Sequence, residues 1–417
     1  MSSGGRTVLR RAIELLARPV DAAASRGPFV VQPYRGYGSR DEVFLIGRVF
    51  RQPTVGSGAP EGTLRRQLVD VARGLLRHGI GGAALLARFC GAEQRVTTDR
   101  DGYFRVHMRP AEPLRADRLW HAVDLELIEP ARIQTRGELF VPPATCRYVV
   151  ISDIDDTVMY TGVASKAKML WRLFLQGARS RVAFPGIAAL LRELHRGRSG
   201  AELNPMLYVS RGPWSIYEIL DEFFNLHAIP VGPLLFLREW GLTLQSPFPR
   251  RAPDHKLELI RNMLSLYRDL PFVLIGDSGQ RDPEIYAQIV REHPGRVLAI
   301  YIRNVSREPE RVRAIERLAL EVIEAGSTLL LAADSLAMAR HAVEHGLIHP
   351  DALFEVREER VVQRDDAQPK PTRQIERATP RQARRAVQRG ELGQALEEPT
   401  RDDAPQNVVV GSEGRNP

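Results

Sequence analysis

Five short, almost unbroken apolar runs mark the second half of the chain: YVVISDI (148–154), MLYVS (206–210), LLFL (234–237), FVLIGD (272–277) and VLAIYIR (297–303). A strand with one wet face alternates in polarity. These runs do not alternate, so they read as strands buried on both faces. Such strands need a layer above and a layer below. The segments between them supply helical patterns: Ile187, Leu190, Leu191 and Leu194; Ile216, Leu220, Phe223 and Phe224, with Pro213 suited to the first turn; and Leu257, Ile260, Leu264 and Tyr267. STLLLAADS (327–335) offers one more strand, with a helix after it to about 345. Strands alternating with helices predict an α/β fold over 148–356, built on a doubly wound, mostly parallel sheet.

The texture before residue 148 is different. EVFLIGRVF (42–50) reads as a strand, with Gly47 at a bulge or a close approach. RVTTDRDGYFRVHM (95–108) reads as two strands around an Asp101-Gly102 turn, and LWHAVDLELI (119–128) and GELFVPP (137–143) add two more. Asp-Arg-Asp-Gly resembles a fragment of a calcium loop, but the remaining ligands are missing, and the turn reading stands. Residues 29–147 are therefore expected to form a β-rich, sandwich-like domain with a helical insertion at about 62–78. Within 1–28, Leu9, Ala12, Ile13 and Leu16 recur at helical spacing beside Arg10 and Arg11, and Pro19 closes a short helix over 6–18. From 357 to 417 the chain is rich in charge, Pro and Gln and poor in aromatics, which predicts a disordered tail.

Composition excludes several classes. No run reaches the roughly 18 apolar residues that a membrane span needs, and the N-terminal stretch has no continuous apolar core of a secretory signal. Two cysteines, Cys90 and Cys146, without metal spacing fit a reducing, cytoplasmic setting. The net charge is +8, but lysine occurs only at 166, 168, 256 and 370, so nearly all the positive charge is arginine. No aromatic or Gly-rich recognition motif accompanies it, which argues against nucleic acid as a partner.

The acids raise the functional question. Asp153, Asp155 and Asp156 crowd the carboxyl end of the first apolar run, Asp277 ends the fourth, and Ser210 ends the second. Ligands of open parallel sheets bind beyond the carboxyl ends of the strands. Carboxylates a few ångströms apart repel one another, and a hard divalent cation relieves that repulsion. The cluster therefore reads as a Mg²⁺ site, and Mg²⁺ points to phosphoryl chemistry. In D-x-D-x-T, Asp153 can attack phosphorus, Asp155 can serve as acid and then base, and Thr157 can fix the loop or donate to phosphate. Ser210, in YVSRGPW, can bind a phosphate oxygen where a strand gives way to a helix, and Arg211 can add a charge-assisted bond. Lys256, in DHKLELI, can offset the negative charge. Asp277 is a metal-ligand candidate, and Asp282, five residues on in GDSGQRDPEIY, is a second ligand or an orienting group.

With these elements in this order, the region resembles the haloacid dehalogenase superfamily. More narrowly, DIDDT, YVSRGPW, HK and LIGDSGQRDPEIY are similar to the catalytic domain of the fungal actin-patch-associated phosphatidate phosphatase family and its bacterial relatives. The likeness covers about 148–305, and looser similarity at GRVF and DGYF extends it toward the N-terminus. It implies a haloacid-dehalogenase-like fold and Mg²⁺-dependent hydrolysis of phosphatidate to diacylglycerol. It also implies Asp153 as nucleophile, Asp155 as acid and base, Ser210 and Lys256 at the phosphate, and Asp277 and Asp282 at the metal. Asp156 receives no role.

The segment 158–183 is the expected specificity insertion. Met169, Leu170, Leu173 and Phe174 lie among Lys166, Lys168, Arg172, Arg179 and Arg181. That composition fits a peripheral segment on an anionic inner membrane surface and equally fits a cap helix over the site. Two rival functions follow: the same chemistry on a soluble metabolite or phosphoprotein, and a scaffold whose β-rich domain binds a protein partner that the sequence does not specify.

Overall fold

A computed structural model describes residues 27–52, 79–115, 118–154, 157–158, 184–210, 214–236, 255–306 and 308–367 of the chain. The helices expected over 6–18 and 62–78, most of the 158–183 insertion and the expected tail beyond 367 lie outside the described residues, as do Asp155, Asp156 and Arg211.

The apolar runs form one six-stranded sheet. Its strands are β9 (Val149–Asp153), β10 (Met206–Ser210), β11 (Leu234–Phe236), β12 (Phe272–Asp277), β13 (Val297–Arg303) and β14 (Leu329–Ala332). They lie in the order β11-β10-β9-β12-β13-β14, and every neighbouring pair is parallel. All residues of β9, β10 and β12 are buried, as unbroken apolar runs require.

Alternate side chains of these strands enter two separate cores. On one face, Val150, Tyr208, Val273 and Tyr301 meet α1 (Ile187–Arg196), α2 (Tyr217–Leu226), α6 (Ser335–Glu344) and α7 (Ala352–Ala367). On the other, Val149, Leu207, Leu274 and Ile300 meet α3 (His255–Leu266), α4 (Asp282–Glu292) and α5 (Pro309–Glu324). From β9 the chain steps outward through β10 to β11, then returns to β9's other side and continues through β12 to β14. The direction of winding thus reverses between β9 and β12, the place where open parallel sheets hold their ligands. The 276–286 stretch, read from sequence as a site motif, also opens helix α4, with Pro283 in its first turn. Helix α7 runs past 357, where the sequence reading began the tail. Ion pairs of Arg360 with Asp334 and of Glu359 with Arg192 hold its charged end.

The N-terminal half forms a mixed sheet of eight strands: β1 (Phe29–Pro33), β2 (Gly36–Gly38), β3 (Val43–Arg51), β4 (Ala84–Phe89), β5 (Ala92–Thr97), β6 (Tyr103–Met108), β7 (Trp120–Glu129) and β8 (Ile133–Phe140). Burial alternates along β3, β6 and β7, so one face supplies a single core containing Leu45, Phe104, Val106, Leu125 and Leu139. The expected sandwich-like domain is thus one hydrogen-bonded sheet. Asp101-Gly102 is a turn, with Asp99 Oδ1 accepting from the amides of Asp101 and Tyr103. The two strands beside it do not form a hairpin: β5 pairs with β4, and β6 with β3. Gly47 is a close approach, because a Cβ there would lie 2.3 Å from the Phe104 ring. Among the described residues no helix is long and apolar enough to cross a membrane.

The two units meet through a polar-edged aromatic contact. Tyr34, between β1 and β2, stacks on Trp214 at 4.5 Å and meets Tyr217 at 4.6 Å. Arg35 pairs with Asp221, its amide donates to the Tyr217 hydroxyl, and Gln32 donates to Glu218. Trp214 also faces Phe236 at the end of β11. Replacing Tyr34, which is 4 % exposed, by Ala is expected to destabilise the protein by about 3 kcal/mol, as for other large-to-small aromatic substitutions in a core. Urea unfolding of the variant checks this, and a loss below about 1 kcal/mol would show that the contact does not join the units.

Candidate active site

Strand register assembles the site. Asp153 lies level with Val209 on β10, so Ser210 sits one step further along that neighbour. On the other side Ile275 lies level with Ser152, which puts Asp277 beyond Asp153 at the same edge. Asp282 enters from the first turn of α4, and Lys256 from the first turn of α3. Asp153, Asp277 and Asp282 are each 0 % exposed, and one carboxylate oxygen from each lies within 4.8 Å of the others. Six residues expected at the site are therefore described, and four of them form one contiguous cluster.

Lys256 Nζ binds Asp153 Oδ1 at 2.7 Å and Asp282 Oδ1 at 2.6 Å. This differs from a lysine reserved for phosphate: its ammonium already ties two acids together. Burial alone would lower its pKa, but the attraction of Asp153 and Asp282 outweighs that and holds it well above the usual lysine range. The Tyr286 ring lies beneath the ammonium, 5.4 Å to the centroid, and the Tyr286 hydroxyl donates to the Ile275 carbonyl at 3.0 Å. Asp282 Oδ2 also accepts from the Asp277 amide at 3.3 Å. The space for this is made by Gly276, where a Cβ would stand 2.4 Å from the same oxygen. Asp282 is thus an orienting group as much as a ligand candidate.

Asp277 is held by its own loop. Its Oδ1 accepts from the amides of Gly279 and Gln280 at 2.7 and 3.0 Å. The Gln280 side-chain amide donates to Asp277 Oδ2 at 2.8 Å and to Asp153 Oδ2 at 3.3 Å. Sequence reasoning passed over Gln280; its place between the Asp277 and Asp153 carboxylates, which come from separate motifs, is visible only when the strands are side by side. Burial, and after it the charge of Asp282, push the Asp277 pKa up to about 7 despite Lys256 and these amides. Among the described residues, these three acids share one directly bonded ammonium.

The donor set is all hard oxygen, buried, and in charge excess, which fits a divalent cation such as Mg²⁺ or Ca²⁺. Ser210 is buried at the adjacent strand end. Thr157 is buried, and its Oγ1 has no hydrogen-bond partner among the described residues. The Val158 amide donates to Ile154 O at 3.0 Å, folding the chain back over the end of β9.

Residues 148–304 match the family described as phosphatidate phosphatase APP1, catalytic domain. Phosphatidate phosphatase APP1 of Saccharomyces cerevisiae is 32% identical over 155 residues, covering 37% of this chain and 25% of that protein. An uncharacterized protein of Schizosaccharomyces pombe is 31% identical over 157 residues, with the same shares, 37% and 25%. The match thus spans about a quarter of each fungal relative. A carbohydrate acetylesterase from Xanthomonas citri superposes at a TM-score of 0.23 with 11% identity, over 69% of this chain and 72% of that one, too distant to bear on fold or function. The matched residues contain Asp153, Thr157, Ser210, Lys256, Asp277 and Asp282.

Two outcomes follow from the charge balance. Without a divalent cation, the folded protein keeps the Asp277 proton up to about pH 7, whereas the unfolded chain releases it near the ordinary value of 3.8. The resulting stabilisation is complete below that ordinary value and is lost as pH rises through about 7. Denaturant unfolding in EDTA across this range should show the decline, and Asp277→Asn should flatten it. Lys256→Met leaves two buried acids without their partner and is expected to cost about 3–5 kcal/mol in the same medium. A change below about 1 kcal/mol would show that the ammonium does not hold the acids together.

Proposed function

We propose that residues 148–356 form a doubly wound, haloacid-dehalogenase-like phosphatase that hydrolyses phosphatidate to diacylglycerol and inorganic phosphate, with Mg²⁺ as its cofactor. The observation that carries this reading is the convergence of Asp153, Asp277 and Asp282 within 4.8 Å, with Lys256 bonded to two of them. The match over 148–304 to a phosphatidate phosphatase catalytic domain supports the substrate class.

Asp153, Asp277 and Asp282 would hold the cation, with Asp155 beside them in sequence. When bound, Mg²⁺ neutralises phosphate charge and orients the ester. Asp153 has one oxygen fixed by Lys256 and attacks phosphorus with a carboxylate oxygen. The P–O bond to diacylglycerol breaks as Asp155 gives its proton to the leaving oxygen. Water then attacks the phosphoaspartate, Asp155 takes a proton from it, and phosphate leaves while Asp153 is restored. Thr157, Ser210 and Arg211 bind the phosphoryl oxygens. The burial of Ser210 at the end of β10 and of Thr157 shortly after β9 supports this role. Burial of the acids keeps bulk water from the nucleophile and strengthens every charge interaction at the edge. We place the reaction at the headgroup layer of an anionic membrane, reached from the cytoplasm.

Phosphate release should be measured with vesicles containing phosphatidate and with a panel of soluble phosphoesters, each with and without Mg²⁺. The expected result is Mg²⁺-dependent release from vesicles, reduced by at least about 10³-fold in Asp153→Asn, as for loss of a covalent nucleophile. Faster turnover of a soluble ester would move the substrate assignment to that class. Turnover that persists in Asp153→Asn would overturn the mechanism.

A further inference from the structure

We infer that Arg311 is a positioning residue for the cation site: its guanidinium clamps the 278–281 loop and thereby fixes the Asp277 and Asp282 carboxylates. This rests on the reading of those acids as cation ligands. Asp277 ends β12 and Asp282 begins α4, so the relative position of the two carboxylates is set by the residues between them. That short loop is a turn, tied from within by the bonds of Asp277 Oδ1 to the amides of Gly279 and Gln280.

Arg311, in the first turn of α5, supplies the hold. Its Nε donates to the Ser278 carbonyl at 2.8 Å and its Nη2 to the Gln280 carbonyl at 2.5 Å. The same guanidinium pairs with Glu284 in the first turn of α4, with Nη2 donating to Oε2 at 3.1 Å. One planar group therefore binds the loop at two points and the helix at a third. A second anchor meets the first from the end of β13. Ser278 Oγ accepts from the amides of Val305 and Ser306 at 2.9 and 3.0 Å and donates to Asn304 Oδ1 at 3.4 Å.

The choice of acceptors matters. The Arg311 guanidinium bonds two loop carbonyls and Glu284 rather than the three acids of the cluster, so it orders the loop without occupying the oxygens a cation would use. A lysine could carry the charge but not the fork, because three acceptors at fixed angles need several N–H donors in one plane. Groups behind metal ligands typically alter affinity by about 10–100-fold when removed.

The test is Mg²⁺ binding to the full-length protein by isothermal titration calorimetry, with phosphatase activity against Mg²⁺ concentration as a second readout. Arg311→Ala is expected to weaken Mg²⁺ binding by about 10–100-fold. Arg311→Lys should recover only part of it, and excess Mg²⁺ should restore kcat in Arg311→Ala, which general damage to the fold would not allow. Asp277→Asn serves as the control that abolishes binding. If Arg311→Ala binds Mg²⁺ as wild type does while Asp277→Asn does not bind, the clamp is overturned and the cation site stands. If wild type itself binds no Mg²⁺, the site reading fails and the clamp with it. Should Arg311→Ala not fold, Glu284→Gln, which loosens the guanidinium from α4, must weaken binding beyond the error of the titration; unchanged binding there overturns the clamp.

Discussion

Lys256 stands between Asp153 and Asp282, and the upper edge of the α/β unit depends on that contact. Three carboxylates with no exposure to water would drive the strands and helix that carry them apart. One ammonium, bonded to two of them and lying over the Tyr286 ring, holds part of that charge in place. It does not hold all of it. The surplus appears as the raised pKa of Asp277, whose loop amides and Gln280 cannot fully compensate for burial beside Asp282. A site left in this state favours whatever delivers positive charge, and a hard divalent ion fits that demand.

Topology makes the crowding possible. The winding of the sheet reverses between β9 and β12, so the ends of those strands are side by side. Register then sets the fine placement, with Asp153 level with Val209 and Asp277 two residues beyond Ile275, the partner of Ser152. Gly276 removes the Cβ that would exclude Asp282. The β-rich unit packs on the α/β unit through Tyr34 and Trp214, and Trp214 lies four residues after Ser210 in sequence.

Much of this was legible in the sequence because buried parallel strands have an unambiguous signature. Each apolar run of the second half proved to contain a strand, and the helical sets at 187–194, 216–224 and 257–267 proved to be buried, since both patterns report burial directly. The site acids were legible because their spacing follows from strand ends. What escaped was information that exists only between segments. Gln280 and Arg311 look like ordinary polar residues until β12, α4 and α5 are brought together. Lys256 was legible as a site residue, but its bonds to Asp153 and Asp282 were not, because helix α3 lies far along the chain from β9. The pairing of β5 with β4 and β6 with β3 escaped for a related reason: a turn signal such as Asp101-Gly102 fixes chain reversal but not which strands share hydrogen bonds. The end of α7 was misjudged because its charged residues, which resemble a tail, make ion pairs with α1 and the loop before α6.

The central claim is that these acids surround a covalent step at Asp153. It is tested most directly by acid quenching of the protein during turnover of its phosphoester, followed by peptide mass spectrometry. A phosphoryl adduct on Asp153, appearing with substrate and Mg²⁺ and absent without either, is the predicted result. Sustained phosphate release from a sample in which Asp153 is never modified would contradict the account.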